Sequence, residues 1–521
     1  MYDKENVFEN VCEKGVKITA ILIIGFLAYW SSISTFRLTF NYLETENIWE
    51  YKDYTIKNLL VAFTGILLLW VFQKLILRRN DEQNKRKVFF VALSVVLFIG
   101  TFLIIWVTQN PIEPYWDQLH VYQAAEQFRQ GDFSLMQTEY FGMYTQQYGI
   151  IFFEEFLIGF WKDYRLFQYI NVLLICMIIF LLYQITDLLF NEQTVNLYCL
   201  AGIFAFIPLY IYVTYIYGDI ASIALNLLTT WGVLKWEKQG GKRFVIISVI
   251  SSVISYLLRN NTLIFLIATA IVCLVLTIRK RNWRPLIFAL ALLMAPQAAK
   301  WGIELFYEHR SGIEIGNGMP AEAWIAMGMQ GEEGGAGIWN GFGDALWYQT
   351  EGDSASVKEA SLDYIHERIQ EFQQDLTYAW EFYRYKILEQ WSEPSYTSFT
   401  LTGKKTDKMG NSGKIVYFGL VPDYICRFMN YYQFLIFFGA LCYAVWGLWH
   451  KEEIHKLLLL ITMIGGFLFS ILWEAKGRYV LPYVIFLIPY MAKGIYIIQG
   501  AAARSKKFIL ARQSIHKNAD P

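Results

Sequence analysis

Residues 110–133 read NPIEPYWDQLHVYQAAEQFRQGDF and follow directly on an apolar run at 88–108. A run of that length is enough to cross the roughly 30 Å hydrocarbon core of a bilayer, so the quoted stretch begins where a membrane helix ends. Two acids, Glu113 and Asp117, stand within about one helical turn of that exit. A carboxylate beside Pro, Tyr and Trp at a membrane surface is costly to desolvate, which is a reason to look for a use for it. The plainest use is local: Asp is a favoured N-cap, and 118–130 reads as a helix that Asp117 would start.

Working outward, the composition sets the solvent. The chain has 521 residues, 55% hydrophobic and 18% aromatic, with only 17% charged. A soluble chain of this length would divide into domains with charged surfaces. Here apolar stretches of membrane-crossing length recur instead, and a formal net charge of zero argues against a nucleic-acid partner. The cysteines at 12, 176, 199, 273, 426 and 442 lie almost all in or beside apolar runs, with no spacing that suggests a disulfide framework or zinc site. The first run has no small-residue cleavage site after it and reads as a retained helix.

About twelve spans are expected, at 18–39, 56–77, 88–108, 166–188, 195–213, 220–236, 244–258, 262–278, 285–305, 430–449, 456–473 and 480–498. Four basic segments, RRNDEQNKRK at 78–87, KWEKQGGKR at 235–243, RKRNWR at 279–284 and the tail from Arg504, then fall on one side. The positive-inside rule makes that side cytoplasmic, with both termini on it. The agreement requires that 148–161, YGIIFFEEFLIGFW, does not cross; with Glu154 and Glu155 inside about fourteen residues, an interfacial or re-entrant helix is expected. The chain divides into two N-terminal spans (1–87), a membrane core (88–305), an extracytoplasmic insertion (306–429) and C-terminal spans with a basic tail (430–521).

The insertion opens with a Gly-rich, aromatic part whose 331–343 segment has no Walker lysine pattern, so nucleotide binding is discounted. A helix is expected from Ser356, with Ser356 and Glu359 as a capping box. Its apolar stripe, Ile365, Ile369, Phe372, Leu376 and Trp380, reads as packing against the membrane domain. Trp324, Trp339, Phe342, Trp347 and Tyr348 suit stacking on sugars, or equally an interfacial belt.

This topology gathers scattered polar residues on one outer face. Asp117 and Glu113 lie in the first outer segment, Asp219 (YIYGDI) in the second, Arg259 (LLRNN) after the seventh span, and Arg478 with Tyr479 (EAKGRYVLPY) before the last. Cations at outer helix ends run against the positive-inside bias, and a phosphate held at that depth would account for them, because guanidinium pairs bidentately with phosphate oxygens. Each has a plainer reading: Arg259 snorkelling, Arg478 bridging to Glu474 one turn earlier, Asp219 capping a helix. Together they suit transfer from a lipid-linked phosphosugar, with a carboxylate as general base and arginines stabilising the departing phosphate.

On these residues the chain resembles GT-C integral-membrane glycosyltransferases, most of all the glycosyltransferase family 39 type of protein mannosyltransferases and aminoarabinose transferases. WDQLHVYQAAEQFRQGDF is similar to that family's acidic first outer loop, with Asp117 at the catalytic acid and Gly131–Asp132 at the following turn. YIYGDI, LLRNN and EAKGRYVLPY resemble its second-loop aspartate, its basic residue near the lipid phosphate and its Arg-Tyr-Pro ending. The resemblance covers roughly 88–300 and 430–500 and implies an all-α polytopic GT-C fold, a polyprenyl-phosphate sugar donor, inversion, and no cofactor or metal. It implies Asp117 as base, Glu113 or Asp219 as second acid or acceptor-positioning group, and Arg259, Arg478 and Tyr479 at the donor phosphate. The family's acid pair is here Asp117-Gln118, leaving Glu113 as the nearest substitute; His120 is metal-compatible in position but isolated. The acceptor is left open among teichoic acid, another cell-surface glycan, lipid and protein. A transporter or flippase of lipid-linked glycans is the main alternative, although no internal repeat supports it; a glycan polymerase or a scaffold are others.

Overall fold

The first apolar run folds as α1 (Tyr2–Ile33) and then leaves helical geometry. The computed structural model describes residues 2–40, 46–77, 81–331, 335–403 and 408–517. The expected helix at 18–39 is corrected here: β1 (Ser34–Phe40) pairs antiparallel with β2 (Glu46–Lys52), with Ser34 opposite Lys52 and Leu38 opposite Ile48. The reason is period. STFRLTF alternates, so Phe36 and Leu38 turn inward with Ile48 onto Leu388 and Ala475, while Arg37 points the other way to Asp423. Among the described residues the architecture is therefore mostly α, with one hairpin.

Then come α2 (Thr55–Ile76) and α3 (Asp81–Gln109), and a run of short pieces: α4 (Asp117–Arg129), α5 (Glu139–Met143) and α6 (Tyr148–Ile158). Long helices resume with α7 (Arg165–Phe190), the bent pair α8 (Gln193–Ala205) and α9 (Ile207–Ile211), α10 (Asp219–Gln239), α11 (Lys242–Leu258), α12 (Thr262–Lys280) and α13 (Arg284–Ser311). The insertion holds α14 (Ala321–Met327), α15 (Phe342–Gln349), α16 (Ser354–Gln374), α17 (Leu376–Trp391), α18 (Ser398–Thr402) and α19 (Asn411–Tyr417). The chain closes with α20 (Val421–Gly447), α21 (Leu458–Leu472) and α22 (Gly477–Lys517).

Among the described residues nine helices are long and apolar enough to cross a membrane, or ten counting the pair bent by 53° at Phe206. The chain is a multi-pass membrane protein on that composition. The other two expected spans are helices too, but α11 has 17 residues, about 25 Å, and α10 ends in charged LKWEKQ. They are buried against one another through small polar groups: Thr229 meets Ser251 at 2.8 Å and Ser255 donates to Asn226 at 3.0 Å. Such contacts satisfy hydroxyls that lipid could not. The 11-residue α6 is too short to cross, as expected, and its acids are buried; Glu155 accepts from Tyr307 and Arg310, both at 2.7 Å.

The helix ends carry polar locks. Lys17, fully buried, bonds Glu13 and the carbonyls of Gly447 and His450, while Arg279 meets Glu9 at 3.0 Å. The α10–α11 and α12–α13 connections lie at that end, opposite Arg259. In the insertion two expectations are corrected. Asp353, not Ser356, caps α16, its side chain accepting from the Ser356 N–H at 2.9 Å. The stripe does not continue as one face, because Asp375 breaks the helix and caps α17. Phe372 and Ile365 pack within the insertion on Met329 and Phe382, whereas Leu376 is 74% exposed and Trp380 54%.

Candidate functional site

The site begins with two amides on α7. Gln168 donates to the carbonyls of Ile112 (2.7 Å) and Thr214 (3.3 Å), and Asn171 to those of Val213 (3.1 Å) and Tyr215 (2.9 Å). The segment after α3 and the segment before α10 are thus hung from one helix end. Gln118 adds a third tie, accepting from the Ile216 N–H at 3.0 Å while nearly buried. That is a physical reason for an amide where the family resemblance expects an acid. Gly218 then turns at φ +81°, where a Cβ would also press on the Leu258 carbonyl at 3.1 Å, and Asp219 opens α10.

Asp117 is not the cap of α4. It is the first helical residue, preceded by Trp116 at φ 50°, and its side chain makes no capping bond. Instead Asp117 Oδ1 accepts from the Tyr140 hydroxyl at 3.2 Å, and His120 stacks on the Tyr140 ring with centroids 4.5 Å apart. One turn on, Tyr144 lies 4.8 Å from Tyr140 and donates to Asp344 of the insertion at 3.0 Å. Burial raises the Asp344 carboxyl, with the Asp117 charge adding to the rise and the Tyr144 hydrogen bond opposing it. Trp324 packs 5.8 Å from Tyr144 and 6.0 Å from Trp473, closing an aromatic wall beside both acids.

The second limb is cationic. Arg259 follows the last turn of α11 and Arg478 begins α22; Asp219 Oδ1 lies 3.5 Å from Arg259 Nη2 and 3.8 Å from Arg478 Nε. Arg259 lies 5.0 Å from the Tyr217 ring centroid, and Arg478 lies 5.2–5.6 Å from those of Tyr215, Tyr217 and Tyr479 and donates to the Tyr215 hydroxyl. Cation–π contact of this kind lets a guanidinium stay charged away from bulk water. Asp219, Arg259, Arg478 and Tyr479 line one cleft with Ser222, Asn226 and Thr262. Tyr479 donates to Glu474 at 3.0 Å, and Arg478 turns to Asp219.

Tyr217 joins the limbs. It accepts from Gln147, faces both arginines, and its hydroxyl is held up first by burial and then by the Asp117 charge. Four of the six expected residues, Asp219, Arg259, Arg478 and Tyr479, therefore share a cleft, with Asp117 joined to it through Tyr140 and Tyr217. Glu113 is not with them: it forms an ion pair with Lys408 on an exposed surface. Among the described residues no three His, Cys, Asp or Glu side chains converge as a metal site. Sequence reasoning missed Tyr140, Tyr144, Tyr217 and Asp344. The tyrosine repeats EYFGMY and YIYGD were the available signal for the first three; nothing in sequence joins Asp344 to a loop some 200 residues earlier.

No family model, curated protein or solved structure matches this chain. Its chemistry is read from the cleft alone: two arginines with donors to spare, one shared acid, and a separate carboxylate held by a phenol.

Proposed function

We propose that the chain is a GT-C-like glycosyltransferase that moves a sugar from a polyprenyl-phosphate donor to an acceptor hydroxyl on the extracytoplasmic face, with inversion. The supporting observation is the pairing of Arg259 and Arg478 around one acid at the helix ends, with Asp117 linked through Tyr140 and Tyr217. In this reading the donor phosphate sits between the guanidinium groups, which offer bidentate bonds to its oxygens. Its lipid tail runs down between α10, α12 and α22, whose Ile223, Phe265 and Phe486 wall the lower cleft. The acceptor oxygen attacks the anomeric carbon from the opposite side as the carbon–phosphate-oxygen bond breaks, and Asp117 takes the acceptor proton. Charge building on the leaving phosphate meets prepositioned cations, the largest common source of rate enhancement.

The test is Asp117→Asn in native-like membranes, scoring sugar transfer from lipid donor at unchanged protein level. Loss of a positioned general base is expected to cost about 10²–10⁴ in rate. Retained activity would remove the assignment. Arg259→Ala and Arg478→Ala should lose donor binding; unchanged affinity in both would return these residues to a structural role.

A further inference from the structure

Asp219 is placed oddly for an ordinary salt-bridge partner. It is 8% exposed and shared by two guanidinium groups, yet its approaches of 3.5 and 3.8 Å exceed the roughly 2.7–2.9 Å of a charge-assisted hydrogen bond. Among the described residues its Oδ2 accepts no hydrogen bond and Arg478 Nε donates none. The carboxylate therefore contributes charge to the cleft without consuming the donors. The phenols of Tyr215, Tyr217 and Tyr479 supply rings and hydroxyls but no charge near neutrality, since the ordinary phenol range is about 10 and burial raises those of Tyr215 and Tyr217. Of the charged groups that line the cleft, the two arginines and Asp219 then sum to +1, while Glu474 and Lys476 act on Tyr479 from beside it with opposite signs.

We propose that Asp219 is a counter-ion that matches this cleft to a phosphate carrying one negative charge, and so favours release of a phosphate carrying two. The inference rests on the lipid-phosphate donor reading. A donor phosphodiester carries one charge. Transfer leaves a phosphomonoester, whose second ionisation near pH ~6 makes it close to dianionic at neutral pH. The reaction thus adds one negative charge to the bound group. A cleft of +2 would hold the product best; Asp219 lowers it to +1 and repels the added charge. Asp219 is in this sense a specificity-determining residue whose loss tightens binding, opposite in sign to a residue that grips the ligand.

The test uses the full-length protein in detergent or nanodiscs, with farnesyl phosphate and its methyl diester as probes, by calorimetry at pH ~7.5. Wild type should bind both. Asp219→Asn should tighten the dianionic monoester about tenfold, the scale of two charge–charge interactions at roughly 6 Å in a well-hydrated cleft, and the monoanionic diester only about threefold, the scale of one. Asp219→Glu, which keeps the charge, should retain the wild-type ratio. Weaker monoester binding by Asp219→Asn, or equal tightening of both probes, overturns the proposal. If wild type binds neither probe, the donor reading itself falls; if it binds both and the ratio does not move, only the counter-ion falls. Wild type alone supplies a check that needs no variant. Its monoester affinity should rise no more than about twofold between pH 5.5 and 7.5 as the probe gains its second charge; a rise of about fourfold, the most that an ionisation near pH ~6 allows over this range, would refute the match.

Discussion

Gln118→Glu restores the acid pair that the family resemblance leads one to expect, and the structure says it should harm this protein in a pH-dependent way. Gln118 is 3% exposed, accepts from the Ile216 N–H and follows Asp117 directly. A carboxyl put there keeps an oxygen for Ile216 but loses solvation and gains a like charge, and both effects raise its pKa. Taking a rise of about two units from ~4.3, at 1.36 kcal/mol per unit, the full penalty is about 2.7 kcal/mol. Because the folded-state pKa is raised, stability is close to wild type below pH ~4 and is lost as pH climbs through ~6.3. The deficit is then about 1 kcal/mol at pH 5 and nearly the full value at pH 8. Gln118→Leu behaves differently: it strands a buried N–H and costs ~1–3 kcal/mol at either pH. Unfolding midpoints of the three proteins at both pH values decide the matter. A Gln118→Glu protein equally offset from wild type at pH 5 and pH 8 would refute the reasoning.

Other expectations follow from single contacts. Lys386, fully buried with its ammonium on the Gly328 carbonyl, is pulled down to about 7 by burial against the pull of Glu474. With the folded pKa depressed, its contribution is whole above ~10.5 and lost as pH falls toward ~7; Lys386→Met should flatten that slope and gain most at pH 6, as read by thermal unfolding. Arg310→Ala removes bonds to Glu155 (2.7 Å) and the Phe128 carbonyl (3.0 Å) that tie α13 to α6 and α4; a loss of about 1–3 kcal/mol is expected, reduced because Arg310 is partly exposed, and should appear in denaturant midpoints. Asp353→Ala should cost ~1 kcal/mol and speed amide exchange in the first turn of α16, with Ser356→Ala milder in the same exchange experiment.

Long apolar periodicity carried most of the fold in readable form, since each of the twelve expected spans overlaps a helix, although 18–39 runs on into β1 and 195–213 crosses the bend between α8 and α9. What was not readable has local causes. The 34–40 segment follows an apolar run without a break, and its alternation tells as a strand only together with the pairing to 46–52. The α16 cap went to Asp353 rather than Ser356 because two oxygen side chains stand three residues apart just before the first buried apolar residue, Val357, and either spacing suits a cap. At the candidate site, acids and arginines stood out in sequence because charge is scarce near membrane spans. The tyrosines that connect them did not, since a chain with 35 tyrosines hides three. Glu113 misled for a related reason: nearness to Asp117 in sequence says nothing of direction, and it points to Lys408.

The amides of Gln168 and Asn171 grip main-chain carbonyls only, at Ile112, Val213, Thr214 and Tyr215. A carbonyl is the same whatever side chain its residue bears. The four gripped positions are therefore free to drift in identity without loosening the anchorage, while the two gripping positions are not. Relatives of this chain, if they keep the same cleft, should show amides fixed on this helix end beside loops of changing composition, with ligand preference retuned by loop substitutions that leave the frame intact.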